Sequence, residues 1–322
     1  MKKILLTAVA ALAIVGCSQN EEIENVGEKA EVNFTTIVSK TTRVTPMITD
    51  NFDEFMVNAY NTSTVDMGTG VALSTKFMTD VTATKSGNAW GIDKGPFYWP
   101  MTDKIQFFAY SPIVHVKDSY AAVTGYPSFS YEIQPVASQE DLLVAKLENA
   151  TKANSGTNGV SLAFAHILTQ INFSAKLEAG VTYTVTKIEI SGVNNTGTFT
   201  YGAGSATGAW TATSGSASYE YSGKYDATAD VNVVDFSTGA NALMLLPQSL
   251  ATDAKIAITY SAVAGSTTTF TGTKEVSLNG QEWLMGKNLR YTLELPSDAT
   301  TVTFKPTVDE WVDEAGTPNK PA

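Results

Sequence analysis

The sequence has 322 residues, 43% of them apolar and only 16% charged, which suits two β-rich domains of average size with full cores. Thr, Ser, Gly, Asn and Tyr are abundant, a balance that favours strands and polar turns over helices. The formal charge is −11, from 32 acidic and 21 basic residues. With no Lys/Arg cluster beyond Lys2-Lys3, the chain lacks the basic face that a nucleic-acid partner needs. The acidity suits a secreted protein that must stay soluble.

Lys2-Lys3, the apolar run from Ile4 to Val15 and then Gly16-Cys17 describe a bacterial export signal cut between Gly16 and Cys17. The run is short of the roughly 20 apolar residues that span a bilayer as a helix. Ile14-Val15-Gly16-Cys17 has the form of a lipobox, in which Cys17 carries a palmitate-type anchor and becomes the mature N-terminus. Cys17 is the sole cysteine, and acylation removes the liability of a free thiol in an oxidising envelope. Residues 1–16 are thus expected to be a signal peptide and 17–29 an acidic tether. Ser18-Gln19-Asn20-Glu21-Glu22-Ile23-Glu24 is too polar to fold. It resembles the surface-export signal of some Gram-negative lipoproteins, with a merely solvated linker as the alternative.

From residue 30 onward, short alternating runs recur between turn formers, and helical periodicity is nearly absent. Strands are predicted at Glu31–Ser39, Ile105–Tyr110, Ile171–Leu177, Thr182–Ile190, Lys255–Ser261, Thr267–Val276, Leu289–Leu295 and Thr301–Lys305. Gln139–Ala145 reads equally as a helical turn or a strand. The polar stretch Ala150–Gly159 is the best boundary, giving domains at 30–155 and 156–322. Gly202–Ser218, of low complexity, is expected to be a long hairpin loop or a mobile surface segment.

Several segments carry a resemblance. Phe97-Tyr98-Trp99-Pro100 with Ile105–Pro112, Gln139–Ala145, Leu162–Ile171 with its Phe-Ala-His, Met244–Gln248, and Trp283 followed by Gly286-Lys287 and Tyr291–Leu293 occur in the order and spacing of one family. Together with Thr301–Trp311 they make the chain resemble the fimbrillin-like (Mfa-like) family of type V pilins. The resemblance implies an all-β fold of two tandem transthyretin-like β-sandwich domains. It also implies export as a lipoprotein to the outer membrane and cell surface, proteolytic removal of an N-terminal segment, and polymerisation into a fimbrium by strand donation. The implied partners are other pilin subunits, in a homo- or hetero-polymer, the outer membrane through the lipid anchor, and a ligand on a host or bacterial surface.

The residues contain parts that suit this cycle. Val32, Phe34 and Val38 fall on one face of the first strand, because side chains alternate along a strand. Val302, Phe304 and Val308 repeat the Val-x-Phe-x-x-x-Val spacing near the other end, so the first set marks a removable strand and the second a candidate donor. Pro306 counts against one long strand, although an edge strand tolerates it. The chain has two arginines. Arg290 lies in a predicted strand, whereas Arg43 lies in a polar, Pro-containing connection, so cleavage between Arg43 and Val44 would release the first strand with its anchor. The alternative leaves Arg43 as an ordinary surface residue of an uncut anchor subunit.

Enzymatic chemistry is not expected, and no cofactor or metal is assigned. His115 and His166 are far apart in sequence, and no His-Glu-x-x-His, Cys-x-x-Cys or Gly-x-Ser-x-Gly pattern occurs. His166, between apolar neighbours, reads as a hydrogen-bonded structural residue. The five tryptophans are expected to plug the cores. The stretch Tyr219–Tyr225 is the candidate adhesive surface, weighed against tyrosines that flank a hairpin. The competing function is a monomeric, glycan-binding lipoprotein of the outer membrane.

Overall fold

The computed structural model describes residues 30–38, 52–87, 89–156, 159–221, 225–228, 233–236, 242–298 and 300–310. These residues are nearly all β, and the one α-helix among them is the single turn Lys152–Ser155. In chain order the first strands are β1 (Phe34–Val38), β2 (Glu54–Asn61), β3 (Lys76–Ser86), β4 (Ala89–Ile92), β5 (Ile105–Ser111), β6 (Ser128–Glu132), β7 (Leu143–Ala150) and β8 (Val160–His166). All but β6 form a seven-stranded sheet in the order β1-β8-β7-β5-β2-β3-β4.

The central strands β2 and β5 are covered on both faces, and every residue of Ile105–Ser111 is buried. Phe55, Val57, Ala59, Phe107 and Ala109 enter one buried cluster, and Met56, Tyr60, Phe108 and Tyr110 enter another. The polar Gln106 keeps its place by donating through Nε2 to Thr62 Oγ1 at 2.9 Å and to Asn149 Oδ1 at 3.0 Å. The sheet curls round the first cluster until its two edges meet: Trp90 Nε1 on β4 donates to Thr36 Oγ1 on β1 at 3.1 Å.

The remaining strands are β9 (Thr169–Lys176), β10 (Val181–Val193), β11 (Thr196–Tyr201), β12 (Gly208–Ser214), β13 (Ala217–Tyr221), β14 (Tyr225–Thr228) and β15 (Val233–Asp235). They continue with β16 (Leu243–Leu245), β17 (Gln248–Ser249), β18 (Lys255–Ala264), β19 (Thr267–Ser277), β20 (Glu282–Trp283), β21 (Lys287–Glu294) and β22 (Thr303–Glu310). One sheet runs β13-β10-β18-β19 with β14 also on β10, and a second runs β15-β9-β21-β22 with β16 also on β9. Their inner faces share one core, where Phe173 on β9 meets Tyr221 on β13 edge-on at 5.0 Å. Tyr183 and Tyr260 cross this core and donate to the carbonyls of Leu295 and Pro296, at 3.1 and 2.8 Å.

The halves of the chain interlock. β6 joins β11 and β12 in a small sheet that lies against the seven-stranded one, with Phe108 and Tyr201 edge-on at 5.2 Å. Tyr201 donates to Ala109 O at 2.8 Å and Trp210 Nε1 to Ile167 O at 2.6 Å.

β8 still pairs with β7 through Leu143↔His166 and Val144↔Ala165, so the first sheet includes residues as far as His166. One expectation is corrected here. Residues 202–218 are mostly strand rather than loop: β12 pairs with β11, and its Gly/Ala/Thr composition is anchored by Trp210 against Phe199 at 5.5 Å. Gln139–Ala145, left open between helix and strand, opens β7 at Leu143. β22 passes through Pro306 uninterrupted, as an edge strand permits.

Burial holds the hydroxyls of Tyr219 and Tyr291 up to about 12, against an ordinary value near 10; for Tyr291 a hydrogen bond from Trp283 Nε1 offsets part of the rise. Both groups bind their protons more tightly folded than unfolded, so their contribution is complete below pH 10 and is lost as pH rises towards 12. Urea midpoints are therefore expected to hold steady below about pH 9 and to fall above about pH 10, less steeply in Tyr291→Phe.

Candidate assembly site

β1 lies at the edge of the seven-stranded sheet, far in sequence from everything it touches. It pairs in parallel with β8, from Phe34↔Val160 to Val38↔Phe164. Just before it, Val32 N donates to Phe97 O at 2.9 Å and Ala30 O accepts from Trp99 N at 3.0 Å. The segment thus fits between the 97–99 stretch and β8, with β4 closing the far side through Trp90. Alternation turns Val32 and Phe34 inward, 1% and 5% exposed, and leaves Asn33 and Thr35 in solvent. The Phe34 ring stands edge-on to Phe55 at 5.8 Å and to Phe107 at 6.1 Å. Burying Val32 and Phe34 stabilises the strand by about 1.5–3 kcal/mol each.

β22 is held far more loosely. It pairs with β21 alone, from Lys287↔Glu310 to Glu294↔Thr303, and its other edge is open in the sheet order. Val302 is buried, Phe304 is half-buried with its ring edge-on to Tyr291 at 5.3 Å, and Pro306 is exposed. Val308 is 53% exposed. Cavities of about 290 and 320 Å³ flank its entry, one lined by Leu295, Pro296 and Thr301, the other by Phe270, Thr300 and Val302. Val32 and Val302 are thus both buried, whereas Phe34 is buried and Phe304 only half-buried.

Gly16, Cys17, Arg43 and Val44 lie outside the described residues, and of Val38 only the backbone is described. β1 ends at Val38 and description resumes at Phe52, so Arg43 falls in sequence between β1 and β2. Arg290 is in β21, flanked by β9 and β22, and its guanidinium pairs with Asp235 at 2.6 Å.

His166 forms a buried hydrogen bond through Nδ1 with Asp141 Oδ2 at 2.6 Å, tying the end of β8 to the segment that enters β7. His115 stands edge-on to Tyr131 instead. Of the two readings of Tyr219–Tyr225, the adhesive one loses its exposed rings: Tyr219 and Tyr221 are 5% and 1% exposed, because their side of β13 faces the core, and Tyr225 is half-buried. Trp99 and Trp283 are buried as expected, while Trp90 and Trp210 are half-buried with their indole N–H groups bonded. Sequence reasoning missed Trp90, Phe97 and Trp99 as walls of the β1 slot. The aromatic run Phe97-Tyr98-Trp99 was the available signal, but nothing in it names the distant Ala30 and Val32 as its backbone partners.

The family model described as fimbrillin-like matches residues 42–311. The chain belongs to the fimbrillin-like family. It is 28% identical to the fimbrium subunit Fim1C of Phocaeicola vulgatus across 97% of each chain. Among solved structures it resembles a fimbrial protein from Bacteroides vulgatus, with a TM-score of 0.65 and 19% identity over 88% of this chain and 99% of that one. A protein of Bacteroides uniformis assigned to cell adhesion follows, at a TM-score of 0.52 and 16% identity over 88% and 99% of the two chains. At these identities the two solved structures carry the all-β fold, while the family rests on the match along the sequence.

The difference in burial between this fimbrillin-like chain's two edge segments is directly measurable. Phe34→Ala is expected to cost about 3–5 kcal/mol in urea unfolding, and Val308→Ala less than about 0.5 kcal/mol.

Proposed function

We propose that this chain is a structural subunit of cell-surface fimbriae that polymerises by strand donation. Residues 1–16 direct export, Cys17 carries the lipid that holds the unprocessed subunit at the outer membrane, and 17–29 form its tether. Cleavage between Arg43 and Val44 frees β1 with that anchor. The slot it leaves is filled by β22 of another subunit, of this or a related kind, and the fibre serves adhesion to a host or bacterial surface. Its parts divide into two tandem sandwich domains, with the crossing near His166.

The observation that carries the proposal is the mismatch between β1 and β22. A strand from the chain's start seats Phe34 in a slot with an aromatic floor, while a strand from its end repeats the same apolar spacing with Val302 buried, Phe304 half-buried and Val308 exposed. Moving Phe304 from its half-buried edge into the place of Phe34 completes its burial, a part of the about 1.5–3 kcal/mol that a fully buried phenylalanine is worth, and backbone pairing along β8 adds to this. Pairing at a vacated edge also removes the hazard of an open strand. Arg290 sits in a paired strand, which leaves Arg43 as the arginine that a protease reaches in sequence between elements.

Intact mass and N-terminal sequencing of the protein from its native surface test this. The expected product begins at Val44 and runs in high-mass oligomers, and Arg43→Gln is expected to retain acylated Cys17 and stay monomeric. An acylated, monomeric protein that no arginine-specific protease converts would overturn the proposal in favour of a glycan-binding surface lipoprotein.

A further inference from the structure

Granting assembly by strand donation, we infer that donated β22 enters the slot parallel to β8. Val302 takes the place of Val32, Phe304 that of Phe34 and Pro306 that of Thr36. The aromatic box sets the first constraint. The Phe34 place is walled edge-on by Phe55 and Phe107, so it takes a flat ring, and Phe304 is the one phenylalanine in Thr300–Glu310.

The backbone sets the second. Val160 N donates to Asn33 O at 2.7 Å. In a parallel ladder the residues that bond a given neighbour alternate along the strand, so Asn33, Thr35 and Ile37 present their backbone groups to β8. Val32, Phe34 and Thr36 turn theirs away, as the bond from Val32 N to Phe97 O records. A proline in the place of Thr36 therefore removes no bond to β8. In the parallel register Pro306 arrives at that place, two residues after the box, while Thr303 and Lys305 take the solvent-facing places of Asn33 and Thr35. Trp90 gives up the Thr36 hydroxyl but stays packed on Phe52 and Phe55, at 5.5 and 4.8 Å, with its half-buried edge near water.

The alternatives fail on the same residues. A shift of one residue drives Lys305 or Thr303 into the aromatic box, where an unpaired ammonium or a lone hydroxyl is costly. An antiparallel entry that keeps Phe304 in the box exchanges the two edges of the strand, because reversing its direction with the same face inward also reverses where each N–H points. The inward Pro306 would then face β8 with no N–H to give it. Pro306 thus selects polarity as well as register.

The two polarities predict different neighbours for Ser161, which is exposed on β8 opposite Thr35. Parallel entry sets Lys305 there and antiparallel entry sets Thr303, both exposed in the unassembled subunit. Subunits carrying Ser161→Cys are processed with an arginine-specific protease, which removes Cys17, and mixed with subunits carrying Lys305→Cys or Thr303→Cys. Assembly proceeds under mild oxidation, and non-reducing electrophoresis with peptide mass spectrometry reads the links. A Ser161–Lys305 cross-link and no Ser161–Thr303 cross-link is the expected result. A Ser161–Thr303 cross-link would reverse the polarity while leaving strand donation intact. Fibres with neither link would overturn the register, and unsubstituted processed subunits that form no fibres would overturn the assembly reading itself.

Discussion

The structure depends on one non-local contact: a short strand from the start of the chain laid in parallel along β8, with Phe34 seated between Phe55 and Phe107. Without it, the seven-stranded sheet would end at β8 on one side and β4 on the other, with Trp90 facing an empty channel rather than Thr36. The same contact fills the core that Phe52, Phe55, Phe107 and Phe164 surround. Every strand contact of β1 is to residues far from it in sequence, so in packing terms it sits almost as a bound peptide would.

Around this slot the described residues of the two halves interlock. The hairpin of β11 and β12 reaches back from the second half and locks onto the first sheet through Tyr201 and Trp210, so the second buried cluster runs continuously from Met56 to Val302. Tyr183 and Tyr260 brace the opposite end by bonding the carbonyls of Leu295 and Pro296, immediately before the chain turns into β22. Beyond that brace the packing thins: Val302 is buried, Phe304 half-buried and Val308 open. The described residues thus form a frame with one buried edge strand near the start and one more loosely laid edge strand near the end.

The legible features were those with local causes. The all-β character followed from alternation and from the scarcity of charge, and the strands at Ile105, Thr182, Lys255 and Thr267 begin close to where their patterns begin. The buried role of His166 followed from its apolar neighbours, though its partner Asp141 did not. One reading failed where composition was a poor proxy for packing: the bland 202–218 stretch hides a strand whose only large anchor is Trp210. Tyr219 and Tyr221 offered no sign of which face of β13 they occupy, because a period-2 pattern names two faces without saying which is wet.

The sequence by itself determined the strand-forming segments, the repeated Val-x-Phe spacing at the two ends and the placing of the two arginines, because each is a property of neighbours along the chain. The tertiary structure decided which of the two matching segments is buried, which strand flanks it and in which direction. Those depend on surfaces contributed by residues 55, 90, 97, 107 and 160, which come together only when the sheet curls closed. Local patterns encode what a strand can bury, and only the folded sheet supplies the place where it does.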